Sequence, residues 1–278
     1  MSVRNLLLGG LAILVVAGVV HAQDDDNGQP RVSPPDGLVT SGVLTYGTAA
    51  TFPPFEYKKG GKLTGFDIEM IRILAGYMGL ETEALDTNFD GLIPALQGNR
   101  IDVINSAMYI KPKRAKEVDF NRYMIIGESI VVPKGNGDNI NELPDDLSGK
   151  DVAVTRGAIG EVYMKDFNKQ LKEKGMETMN IMTFPTNQDA LLAVRSGRAH
   201  AFDTSIPGAA YLNEKRPGEY EVATTFDLGT EIGIATQKND DDMQSALQKA
   251  LQIFVESGEY ERLLDKYNFP EEVNYFDQ

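Results

Sequence analysis

Residues Phe89 to Phe120 read FDGLIPALQGNRIDVINSAMYIKPKRAKEVDF, and the organisation of the whole chain turns on them. Leu92, Ile93 and Leu96 form the apolar face of a short helix that Gly98 ends. Ile101 to Ile104 is an apolar strand, and Asn105 to Ala107 turn small and polar where that strand is expected to end. Lys111, Lys113, Arg114, Lys116 and Arg122 then place five basic residues in twelve positions of an otherwise acidic chain. A strand end that opens onto small residues and a fixed cation is how an α/β sheet builds an anion site. A solvated basic face fits the same residues, and only the rest of the chain separates the two.

Upstream, Arg4 is the single charge before fifteen uncharged residues, Leu6 to Val20. That is short of the ~20 residues a membrane span needs and suits a secretory signal, with cleavage after Ala22 following Val20-His21-Ala22. An uncleaved anchor is the alternative. The chain has no cysteine, so export without a disulfide or lipid anchor points to a periplasm. Without residues 1–22 there are 26 basic against 41 acidic residues, a net charge of −15. Such a balance argues against nucleic acid and anionic lipid as partners. Gln23 to Gly37 (QDDDNGQPRVSPPDG) has no apolar periodicity and reads as a flexible leader.

From Val43 onward strands and helices alternate, which predicts doubly wound α/β architecture. Val43–Gly47 is a strand, 48–62 a long loop, and Phe66–Met78 a helix with Ile68, Ile71, Leu74 or Ala75, and Met78 on one face. Ser129–Val132 is a further strand. Pro133 to Lys150 is a composition break, after which the alternation restarts: strand 151–155, helix to about 174, strands at 178–183 and 199–203, then strands at 220–226 and 231–236 and two C-terminal helices. Two such units predict two lobes and a ligand cleft between them.

Catalytic groups are scarce. One histidine, His200, remains after Ala22, and it reads as a structural residue within a strand. Cysteine nucleophiles, zinc motifs and a GxSxG elbow are absent from the sequence, and neither a metal nor a cofactor is expected. The turn Thr155-Arg156-Gly157-Ala158-Ile159-Gly160, between a strand and a helix, suits a carboxylate or serves as a plain connection. Phe52, Phe55 and Phe89 are core aromatics or pocket walls.

Taken in order, GTAATFPPFEY, GKLTGFDIEMIRILAGYMG, FDGLIPALQGNRIDVINSAM, KPKRAKEVDF, VAVTRGAIGE and SGRAHAFDTSIPGAAY resemble the family-3 solute-binding proteins, the periplasmic polar-amino-acid receptors of ABC importers. The similarity runs from about Gly42 to Tyr267. It implies a type II periplasmic-binding-protein fold, with two doubly wound α/β lobes joined by two crossing strands: lobe one at 38–132 and 229–278, lobe two at 133–228. It further implies a monomer that closes on an amino acid or a related small carboxylate and docks on a membrane permease. Within that family frame Arg114 holds the ligand carboxylate, Ser106, Ala107 and Tyr109 line the same end, and Phe52 and Phe89 sandwich the ligand. Thr155, Arg156 and Ile159 face them from lobe two.

The chain departs from that pattern at four places. Ala49 and Ser205 stand where amino-acid binders commonly carry the aspartates that grip the ligand ammonium. Tyr109 replaces a small hydroxyl residue and Lys111 the threonine of the TPxR motif. Asp203 and Glu231 are the nearby acids available as substitutes. A carboxylate clamp alone, at about 1.5–3 kcal/mol, falls well short of the ~8 kcal/mol that micromolar binding requires. The expectation is therefore a receptor that keeps the carboxylate end of an amino-acid site and has lost its ammonium end. A dehydratase acting on prephenate- or arogenate-like acids and a ligand-sensing module are the competing functions on the same fold.

Overall fold

A computed structural model of the chain describes residues 29–276. The expected signal sequence and residues 23–28 of the leader lie outside them. In chain order the elements are β1 (Val43–Thr48), β2 (Thr51–Phe52), β3 (Glu56–Lys59), β4 (Lys62–Thr64), α1 (Phe66–Tyr77), β5 (Glu81–Asp86), α2 (Leu92–Gln97), β6 (Val103–Tyr109) and β7 (Val118–Pro133). There follow β8 (Asp151–Thr155), α3 (Ile159–Glu173), β9 (Asn180–Phe184), α4 (Asn187–Arg195), β10 (Ala201–Ser205), α5 (Ile206–Lys215), β11 (Tyr220–Gln237), α6 (Asp241–Glu256) and α7 (Glu259–Lys266). Among the described residues no helix is long and apolar enough to cross a membrane.

One eight-stranded sheet, in the order β5-β1-β6-β11-β7-β10-β8-β9, runs through both lobes. Its outer strands pair in parallel, β1 with β5 and β6 at one end and β8 with β9 and β10 at the other. The two central strands, β7 and β11, are antiparallel and span both ends. They are the crossing strands, and each passes from one lobe to the other in a single run. The sequence pattern marks only fragments of them: 129–132 for β7, and 220–226 with 231–236 for β11. Residues 128–131, which the pattern groups with lobe one, pair with β10 of the other lobe. The ladder between β7 and β11 slips between Phe226↔Glu128 and Thr230↔Ile126, and Asp227 in that slip has φ 49°. Gly127 faces it, where a Cβ would stand 3.0 Å from Leu228 Cα.

Each lobe has its own apolar core. In lobe one the expected face of α1 is fully buried, and Phe66 stacks on Tyr123 and meets Tyr260 edge-on. Helix α1 begins at Gly65, whose φ of 128° and approach to the Phe55 carbonyl leave no room for a side chain. Ile130, Val132, Val152, Val154, Met164 and Leu171 make the counterpart core of lobe two. The expected long loop at 48–62 instead carries most of a small antiparallel sheet of β2, β3 and β4. Residues 29–37 are not a free leader: Val32 is buried, and its N–H donates to the Tyr77 carbonyl at 2.9 Å.

Asn105 to Ala107 do not end β6; they bulge within it. Three residues of β6, Asn105 to Ala107, lie opposite one of β11, Ile234, and Ala107 takes a φ of 39°. Their polar groups hold the start of α1. Asn105 Nδ2 donates to the Asp67 carbonyl at 2.7 Å, and the Ala107 N–H donates to the Asp67 carboxylate at 2.7 Å.

Helix α4 is anchored by a reciprocal cap: Thr186 Oγ1 accepts from the Asp189 N–H at 3.1 Å and donates to its carboxylate at 2.7 Å. Thr186→Ala is expected to remove about 1 kcal/mol of stability, read as a fall of about 2–4 °C in Tm.

Candidate functional site

The bulge in β6, the crossing point of β7, the end of β10 and the turn before α3 converge on one cavity of about 40 Å³ between the lobes. Lobe one contributes Ala49, Phe52, Phe89, Ala107 and Tyr109, and lobe two Thr155, Ile159, Asp203 and Ser205. All nine are expected from the sequence. Two carboxylates that line the same cavity, Glu56 and Glu128, are not.

Glu56 is fully buried at the first residue of β3. Ser106, behind the cavity wall, donates from Oγ to Glu56 Oε1 at 2.8 Å and accepts the Ala49 N–H at 3.0 Å. Glu56 Oε2 has no hydrogen-bond partner. Burial, and after it the charge of Asp67, hold this carboxyl well above the usual range. Glu128 lies at the crossing, in β7, and accepts the hydroxyl hydrogen of Tyr109. It lies beside Asp203 of β10, and after burial the neighbouring Asp203 charge pushes the Glu128 carboxyl up further. Burial raises both, Asp203 to about 7. Asp203 abuts the backbone of Gly160, where any Cβ would overlap its carboxylate. Asp203 Oδ1 and Thr155 Oγ1 are likewise without partners.

The remaining expected residues lie elsewhere. Arg114 is buried but outside the cavity lining. Its Nη1 donates to the Tyr109 carbonyl at 2.8 Å and its Nη2 to the Gly157 carbonyl at 2.9 Å, with the guanidinium carbon 5.2 Å from the Phe89 ring centroid. It therefore reaches from lobe one to lobe two. Burial lowers it to about 10, which leaves it charged at neutral pH. Arg156 is half exposed, 3.8 Å from Asp90 across the cleft mouth. Glu231 pairs with Arg122 at 2.5 Å on the exposed side of β11. Lys111 is tied to the slip in the crossing strands, donating to Asp227 at 3.2 Å and Thr230 at 2.9 Å. His200 precedes β10, and its Nδ1 accepts the Asp151 N–H at 2.9 Å, a structural contact.

Of the two acids offered as substitutes for the missing aspartates, only Asp203 reaches the cavity. Glu231→Gln is accordingly expected to leave ligand affinity within about twofold, since it removes only an exposed ion pair; titration calorimetry reads this directly.

Two lobes on a shared sheet, with a cavity between them at the crossing, define a solute-binding protein of the type II architecture. The chain belongs to the bacterial extracellular solute-binding proteins, family 3, whose model matches residues 44–271. It is 29% identical to the L-cystine-binding protein TcyJ of Escherichia coli K12, with 95% of each chain covered. It is 32% identical to the arginine-binding extracellular protein ArtP of Bacillus subtilis, over 81% of this chain and 85% of the relative. Among solved structures, an ancestral arginine-binding protein bound to arginine superposes with a TM-score of 0.75 at 35% identity, covering 81% of this chain and 98% of that one. The ancestral amino-acid-binding protein AncCDT-1, a precursor of cyclohexadienyl dehydratase, superposes at 0.72 with 35% identity, covering 81% and 95%.

Proposed function

We propose that this protein is an exported receptor of an ABC importer that captures an amino acid or a related small solute between its lobes and hands it to the permease. The observation that carries the reading is the cavity itself. Its walls come from both lobes and meet at the slip in β7 and β11, so hinge motion there opens and closes the site. The relatives are named for amino acids they bind, which supports the solute class. Export, with cleavage after Ala22, and action as a monomer complete the reading.

A thermal-shift panel of amino acids, amines and small carboxylates tests it. A true ligand at about 100 times its Kd stabilises the chain by about 2.7 kcal/mol. Closure is then checked as a fall in the radius of gyration by small-angle scattering. A carboxylic acid kept protonated beside a tyrosine, as in the Tyr109–Glu128–Asp203 chain, is also what a general acid requires. Recovery of the bound ligand chemically intact supports the receptor, and its conversion supports an enzyme.

A further inference from the structure

The cavity carries acid and lacks base. Glu56, Glu128 and Asp203 approach it from β3, β7 and β10, each at least nine-tenths buried, while no lysine or arginine among the described residues lines it. Glu56 Oε2 and Asp203 Oδ1 are buried without a hydrogen-bond partner. A buried carboxylate oxygen without a donor is unfavourable unless something brings one. An ammonium or guanidinium carries the N–H donors that these oxygens lack.

The same inventory has no place for a ligand carboxylate. Arg114, the nearest cation in the family pattern, already donates to two backbone carbonyls behind Tyr109 and is covered by Phe89. A carboxylate entering the cavity would find no lysine or arginine among its lining to pair with it. A cationic nitrogen meets the opposite situation. It brings N–H donors to the buried carboxyls of Glu128 and Asp203 and to Glu56, whose Oε2 has no partner. Phe52 and Phe89 line the same cavity.

We propose that the cleft recognises an alkyl amine or guanidine that carries no carboxylate, with Asp203, Glu128 and Glu56 receiving its nitrogen. This rests on the receptor reading and narrows its ligand class. It also reverses the expectation from sequence, under which the carboxylate end of the site is retained and the ammonium end lost.

The test compares matched pairs by titration calorimetry on the exported chain: agmatine against L-arginine, cadaverine against L-lysine, with L-glutamine as a neutral amino acid. The expected result is at least tenfold tighter binding of agmatine and cadaverine than of their amino-acid parents. Asp203→Asn and Glu128→Gln are each expected to weaken agmatine at least tenfold while the chain stays folded by circular dichroism, and Glu231→Gln to leave it unchanged. L-Arginine or L-lysine binding as tightly as its decarboxylated partner overturns the inference. L-Glutamine binding without either amine also overturns it and leaves the receptor reading standing. Failure of every compound to bind overturns both.

Discussion

Replacing Arg114 by alanine is expected to weaken every ligand by about 10- to 100-fold, whether or not that ligand carries a carboxylate. The reason lies in what the guanidinium touches. Its bond to the Gly157 carbonyl crosses from lobe one to lobe two, so it exists only while the lobes are closed. A hydrogen bond to a charged group contributes about 1.5–3 kcal/mol, and every 1.4 kcal/mol is tenfold in affinity. Removing it biases the chain towards the open form and reduces all affinities by the same factor. The partner bond to Tyr109 and the contact with Phe89 lie within lobe one and affect local order more than closure. Arg114→Lys keeps the charge but not the two-pronged fork, and is expected to recover only part of the loss. Agmatine and L-arginine titrated against both variants read the outcome. A loss confined to L-arginine would make Arg114 a carboxylate clamp after all.

The second large effect concerns stability without ligand. Asp203→Asn is expected to stabilise the ligand-free chain at pH 8 by on the order of 2 kcal/mol, even as it impairs binding. Burial lifts Asp203 from the ordinary 3.8 to about 7 and Asp67, in the first turn of α1, from 3.8 to about 6. Between these values the folded chain holds protons that the unfolded chain has released. Stability therefore falls as pH rises from about 4 to 7, and the penalty is complete above that window. Glu56 and Glu128 are raised by burial too and push in the same direction. Exposed carboxylates such as Asp119 and Glu221, lowered by Lys238 and Lys134, act oppositely, but their stabilisation is lost only below about pH 4.5. Urea unfolding at pH 5 and pH 8 checks the sign: the wild type should be the more stable at pH 5, and Asp203→Asn should narrow the gap. A wild type that gains stability between pH 5 and 8 contradicts the account. Asp203 is then one more functional residue held at the expense of stability.

Much of this molecule is legible in its local patterns. Apolar spacing locates α1, α3 and α6 to within a few residues, because a helix's buried stripe is written in its own sequence. Strands are less legible. The first half of β7 follows the basic run 111–116 and itself contains Asp119, Asn121 and Arg122, so its pattern resembles a polar loop. Its pairing with β11 is what makes it a strand. The polar bulge at 105–107 resembles a strand end for a similar reason: its partner, the Asp67 carboxylate, lies about forty residues away. Glu128 escapes the pattern by one position, a carboxylate placed immediately before the apolar run Ser129–Val132.

By itself the sequence determined the class: the α/β alternation, the two-lobed order of elements and the aromatic and small residues that line the cleft. Those features depend on local periodicity and on motifs that keep their spacing along the chain. Only the tertiary structure decided the charge of the site. Whether Arg114 faces a ligand or a backbone carbonyl, and whether Glu56, Glu128 and Asp203 share one cavity, depends on how β7 meets β3 of the small sheet and β10 of the large one, residues 72 and 75 positions apart in sequence. Electrostatic energy in a buried site is set by distance and exclusion of water, and neither is a property of sequence position.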